Sequence, residues 1–228
     1  MSASFPAQVV ALVSKDMLIE WRTRARLSAL VFFALATLLL FSFAVGPDVV
    51  ALRKGAPGYL WLSLLFASVL SLGESFRIEG ENGALEGLRL APVDRRALFV
   101  AKGLSNALLL WFIGLVVLPV AVALFDLHIA LGVPTLVGLM GLGCLGLSAP
   151  GVFYAAIASH ARAKDVLLPL LLFPMLMPLL VASAKGTALI LEGDPMGQLR
   201  SWVLLLSAFS LIYWALGFVL FPRIIDDN

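Results

Sequence analysis

Charge is scarce in this sequence. Asp, Glu, Lys and Arg make up 13% of it, about half of what an ordinary soluble domain carries. Cysteine is scarcer still: the single Cys144 excludes an internal disulfide and a cysteine metal cluster, and its Gly-rich apolar surroundings suit a small packing residue. The only histidines are His128 and His160. A formal net charge of +2, with no basic patch interleaved with aromatics, argues against nucleic acid as a partner. Also missing is any G-x-x-x-x-G-K-[ST] sequence, and no hydrophilic stretch is long enough to house one, so any ATP is expected on another chain.

Apolar residues fill the space that charge leaves. They make up 61% of the 228 residues, and the mean hydropathy is +1.03. A soluble fold of this size cannot hide so much apolar surface, and in lipid only helices or a closed barrel satisfy the backbone. The runs are continuous rather than alternating, so they read as helices. With about 20 residues needed to cross a bilayer, the expected spans are 27–45, 58–73 (reaching 75 with its flank), 103–125, 129–148, 166–184 and 202–221. No Asp, Glu, Lys, Arg or His lies inside these windows. Ion-driven carriers normally place such groups in the membrane, so their lack argues against ion coupling. Pro169, Pro174 and Pro178 predict a kinked or broken fifth span. Residues 1–26 are amphipathic with their charges at 15–26, and the first long apolar run begins only near Leu27, so no cleavable signal peptide is expected.

The expected architecture is all-α: one polytopic domain over 1–228, six transmembrane helices, an interfacial amphipathic helix over 4–26 and a segment at 76–96 between spans two and three. All of the 16 basic residues except Arg53, Lys54, Lys185 and Arg200 fall on the side that holds both termini. By the positive-inside rule, the N- and C-termini are cytoplasmic. Phe5, Val9, Leu12, Val13, Met17 and Trp21 recur at helical spacing, with Lys15, Asp16, Glu20 and Arg22 at other positions. This predicts a helix in the cytoplasmic interface with Trp21 at headgroup depth; a basic flank that merely orients the first span is the alternative. Gly138, Gly141, Gly143 and Gly146 give the fourth span a face where backbones can approach closely, for packing rather than a pore.

The longest cytoplasmic loop is rich in charge yet keeps Leu85, Leu88 and Leu90, and Gly83 and Pro92 bracket this short amphipathic stretch. A stiff two-faced helix here would give a partner something to push on; a plain solvated face is the competing reading. Glu79, Glu81 and Glu86 have no nearby His or Cys and lie in a loop expected to be open to water, so neither a metal site nor acid–base catalysis is expected. Residues 79–86, Glu-Gly-Glu-Asn-Gly-Ala-Leu-Glu, followed by Leu88 and Ala91-Pro92-Val93, resemble the E-x-E-x-G-x-L-E…P pattern of type-2 ABC exporter permeases. More narrowly, residues 84–95, Arg162-Ala-Lys-Asp-Val-Leu-Leu-Pro-Leu170 and the closing Leu220-Phe-Pro222 are similar to the heme exporter protein B family, along nearly the whole chain.

That resemblance implies the permease subunit of an ABC complex of cytochrome c maturation in the bacterial inner membrane. It implies no catalytic site on this chain, with ATP and Mg bound by an ATPase subunit. Further implied partners are a second permease half, a heme-handling membrane subunit and a periplasmic heme chaperone, with heme as possible cargo. In the wider class this loop is a coupling helix on the ATPase, which puts Glu79, Glu81, Gly83, Leu85, Glu86, Leu88 and Pro92 at the contact. For heme itself His128 is the candidate ligand, set against a solvated or capping loop histidine; Met175 and Met177 suit packing better. A generic type-2 exporter permease for lipid, polysaccharide or drug, and a non-transporting scaffold, are the other two functional classes.

Overall fold

A computed structural model describes the backbone of residues 4–22, 24–81, 94–159 and 164–226. The described residues form seven helices and no strand: α1 (Phe5–Arg22), α2 (Arg24–Val45), α3 (Val49–Glu81), α4 (Arg95–Phe125), α5 (Val133–Ser159), α6 (Lys164–Glu192) and α7 (Leu199–Asp226). All but α1 are long and apolar enough to cross a membrane, as six apolar windows require.

The helices outrun those windows. The 33 residues of α3 span roughly 50 Å at 1.5 Å per residue, against about 30 Å of hydrocarbon. Its apolar part ends at Gly73, and the last two turns, which hold Glu79 and Glu81, run on beyond it. Helix α4 starts at Arg95, eight residues ahead of the expected window, where Asp94 caps it by accepting from the Arg96 N–H at 2.8 Å. Helix α5 continues to Ser159 past a buried Pro150. It begins only at Val133, because residues 129–132 instead form a turn: the Leu131 N–H donates to the Ile190 carbonyl at 3.0 Å, and Gly132 takes a φ of 86°. Despite its three prolines, α6 is one helix and runs through exposed Lys185 to Glu192. Neighbouring helices enclose Leu172, Leu176 and Leu179, so packing outweighs the hydrogen bonds the prolines forfeit.

Helix α5 sits at the centre, packed on α3, α4, α6 and α7, while α2 and α7 lie at the rim. Its glycines admit bulky neighbours. A Cβ on Gly143 would overlap the Trp61 ring, one on Gly146 would overlap Leu179, and Gly141 lies against Trp111. The glycine face is thus a packing surface. Helices α4 and α7 interlock reciprocally: Trp214 fills the space over Gly103, and Phe99 the space over Gly217. Buried polar side chains tie the spans together. The Trp61 indole N–H donates to Thr187 Oγ1 at 2.9 Å, and Asn106 Nδ2 donates to Ser148 Oγ at 3.1 Å. Ser148 Oγ in turn donates to the Cys144 carbonyl at 2.8 Å.

Candidate functional site

Helix α1 is built to lie along the bundle rather than through it. Asp16 and Glu20 are one helical turn apart and so share a face. That face, with Val9, Leu12, Val13 and Met17 on either side, is turned toward α2 and α4, while Val10, Leu18, Trp21 and Arg22 point away. The acids, which the helical spacing sets only at positions other than the apolar ones, form the polar centre of the docked side. Lys102 on α4 is buried, with Nζ 3.7 Å from Asp16 Oδ2, and Asp16 also meets Lys15 at 3.1 Å. Glu20 Oε2 lies 3.0 Å from Arg26 Nη1, and both side chains are largely shielded.

Arg26 joins three helices. Its Nη2 donates to the Ser71 carbonyl on α3 at 2.7 Å and reaches Ser71 Oγ at 3.3 Å, while Nη1 holds Glu20. Ser71 is two residues from Gly73, where the apolar part of α3 ends. The guanidinium fork therefore ties α1, through the base of α2, to the point where α3 leaves the apolar layer. Burial pushes the Glu20 carboxyl above its ordinary value of 4.5; Arg26 pulls it back and nearby Asp16 pushes it further up. The net rise is understandable because Glu20 Oε1 has no hydrogen-bond partner among the described residues. At the start of α1 the Asp94 N–H donates to Gln8 Oε1 at 2.9 Å, Phe5 meets the Phe218 ring edge-on, and Arg96 lies 5.3 Å over the same ring.

Of the expected contact residues, Gly83, Leu85, Glu86, Leu88 and Pro92 lie outside the described residues, as does His160. Glu79 and Glu81 end α3 and lead the chain into that segment. His128 is exposed in the α4–α5 connection, at the end of the bundle opposite α1, near the Arg53–Asp126 ion pair. Among the described residues no three His, Cys, Asp or Glu side chains gather as a metal site. Sequence reasoning missed the Asp16–Lys102 and Glu20–Arg26–Ser71 joint. The available signal was the i, i+4 spacing of two acids on a helix leading straight into an apolar span.

Six long apolar helices, an all-helical packed core and a seventh helix laid against one end define a multi-pass membrane protein. The sequence matches the CcmB protein family over residues 7–223, and the chain belongs to that family. It is similar to the heme exporter protein B of Rhodobacter capsulatus, at 33% identity over 178 residues, covering 77% of this chain and 80% of that protein. It also resembles the heme exporter protein B of Pseudomonas aeruginosa, at 31% identity over 88% of this chain and 89% of that one. The Paracoccus denitrificans protein of the same name is 31% identical over 91% and 93% of the two chains.

Proposed function

We propose that this chain is the membrane permease subunit of a heme-exporting ABC complex in cytochrome c maturation, without an ATPase site of its own. The observation that carries this reading is the family match along nearly the full chain, with relatives named heme exporter protein B. ATP and Mg then belong to a partner ATPase that docks from the cytoplasm on the segment 76–96. The same reading brings a second permease half, a heme-handling membrane subunit and a periplasmic heme chaperone, whose loading or release consumes the ATP. Heme is the cargo of the complex, and His128 is the residue on this chain to examine for contact with it.

The helices suggest how the control would reach the membrane. Helix α3 leads into the coupling segment and is gripped by Arg26 at Ser71, so a push that reaches Glu79 and Glu81 at its end travels along a stiff rod. Because Arg26 also holds Glu20, α1 and α2 would move with α3. Closure of the ATPase dimer thus shifts a joined unit rather than a loop.

The test is Glu86→Arg in the assembled complex, with copurification of the ATPase and its turnover as readouts. Charge reversal at the contact should abolish copurification or weaken ATPase binding, and with it complex-stimulated turnover, by about thirtyfold or more, the effect of an unpaired interfacial charge. Unchanged binding and turnover would overturn the coupling assignment. Loss of coupling with unaltered heme delivery to the chaperone would instead favour an exporter of another substrate.

A further inference from the structure

Helix α1 has a second face that the bundle does not use. On a helical projection, Val10, Ala11, Leu18 and Trp21 fall on the side opposite Asp16 and Glu20, and Lys15 and Arg22 flank that side. Val10, Leu18 and Trp21 are 64%, 56% and 67% exposed. Arg22 is exposed on that side, and Arg24, two residues further along in the first turn of α2, is exposed as well. Charge is sorted across the helix: both of its acids turn inward, where Lys102 and Arg26 meet them. The outward side is left with apolar groups, the neutral hydroxyl of exposed Ser14 and positive charge, and no acid.

We infer that this face binds anionic phospholipid of the bilayer that holds the protein, with Arg22 and Arg24 on the headgroup phosphates. Trp21, Leu18 and Val10 sit below the phosphates among the upper acyl chains. An apolar stripe bordered by cations fits a lipid surface better than a protein groove, since both halves of a phospholipid are met in the order they occur. The sorting of acids is the strongest support, because two outward carboxylates would cancel the attraction of two arginines. Lys15 contributes less, being already paired with Asp16. The inference goes beyond the heme reading and does not need it, for it concerns only how α1 is held against the membrane.

The full chain reconstituted in nanodiscs tests this by tryptophan fluorescence with brominated phosphatidylglycerol or brominated phosphatidylcholine as quencher. Phosphatidylglycerol diluted into phosphatidylcholine should quench Trp21 preferentially, and the preference should vanish in Trp21→Phe, which identifies the signal among the five tryptophans. Each arginine near the surface is expected to contribute about fivefold to the enrichment, so Arg22→Gln with Arg24→Gln should remove about 25-fold, the product of the two. Equal quenching by the two lipids overturns the proposal, as does a preference that survives the double substitution. A Trp21 quenched by neither lipid also overturns it, since the face would then be covered by protein or water. Should the double variant not fold, retention of phosphatidylglycerol over phosphatidylcholine by the unaltered chain in native mass spectrometry decides the matter, and equal retention counts against it.

Discussion

At the scale of single residues, two glycines of α5 separate space from flexibility. Gly143 is needed because the Trp61 ring occupies the position of its missing side chain, and that ring is fixed by its hydrogen bond to Thr187. Gly143→Ala should lower stability by about 1–3 kcal/mol, the usual cost of overpacking. Gly138 on the same helix has nothing within 4 Å of a Cβ, so Gly138→Ala should be neutral or raise stability by about 0.5 kcal/mol through chain entropy. Thermal unfolding of the two variants in one detergent gives the comparison; equal behaviour would mean that Trp61 does not lie where the fold places it. Glu20 gives a second residue-scale expectation. Its carboxyl value in the docked state lies above the ordinary 4.5. Docking therefore favours the protonated form, and that contribution is fully present below the undocked value and lost as pH rises through the docked one. Amide exchange along α1, corrected for intrinsic rates, should show more protection on the acid side of that window. The dependence should shrink in Glu20→Gln. Asp16, Lys102 and Arg26 face Glu20 or its neighbour, and none of them is altered by that change.

At the scale of elements, Arg26 decides whether α1 is part of the bundle. Removing its guanidinium breaks an ion pair and two bonds to Ser71, and strands Glu20 in a shielded site. Arg26→Ala should cost about 2–4 kcal/mol, near the lower end for a broken buried pair because part of the site is wet. Adding Glu20→Gln should recover a measurable part of that loss, since the stranded charge goes with it. Limited proteolysis within α1, compared across the single and double variants, follows the undocking; additive losses would mean the two side chains do not interact. The elements also show what the sequence could and could not convey. Six apolar windows became six helices because a backbone in lipid must pair its own polar groups, and continuous rather than alternating apolar runs leave the helix as the way to do it. Their ends escaped because capping and packing set them: Asp94 starts α4 early, buried Pro150 does not stop α5, and Lys185 is carried at an exposed position of α6. The inward turn of Asp16 and Glu20 escaped because their partners, Lys102 and Arg26, belong to other helices, and periodicity within α1 carries no information about them.

At the scale of the whole molecule, six crossings bring the start of α1, the end of α3, the start of α4 and the end of α7 to one side, while residues 126–132 and 193–198 share the other. The placement of α1 agrees with this arrangement, since Phe5 near the start of the chain meets Phe218 near its end. Among the described residues, basic side chains are concentrated at the α1 end, with Lys15, Arg22, Arg24, Arg26, Arg95, Arg96, Lys102 and Arg223 there and Arg53, Lys54, Lys185 and Arg200 toward the opposite one. By the positive-inside rule the α1 end is expected to be the cytoplasmic one, the orientation that the proposed function requires. A cysteine introduced at exposed Met196 (80% exposed) should react with an impermeant maleimide on intact spheroplasts, and one introduced at Leu88 should react only after the membrane is opened. The native Cys144 is buried and should stay silent in both cases. Labelling at Leu88 in closed spheroplasts would put the coupling segment on the wrong side for any cytoplasmic ATPase. It would remove the permease reading together with the orientation, because ATP acts only where the partner can bind it.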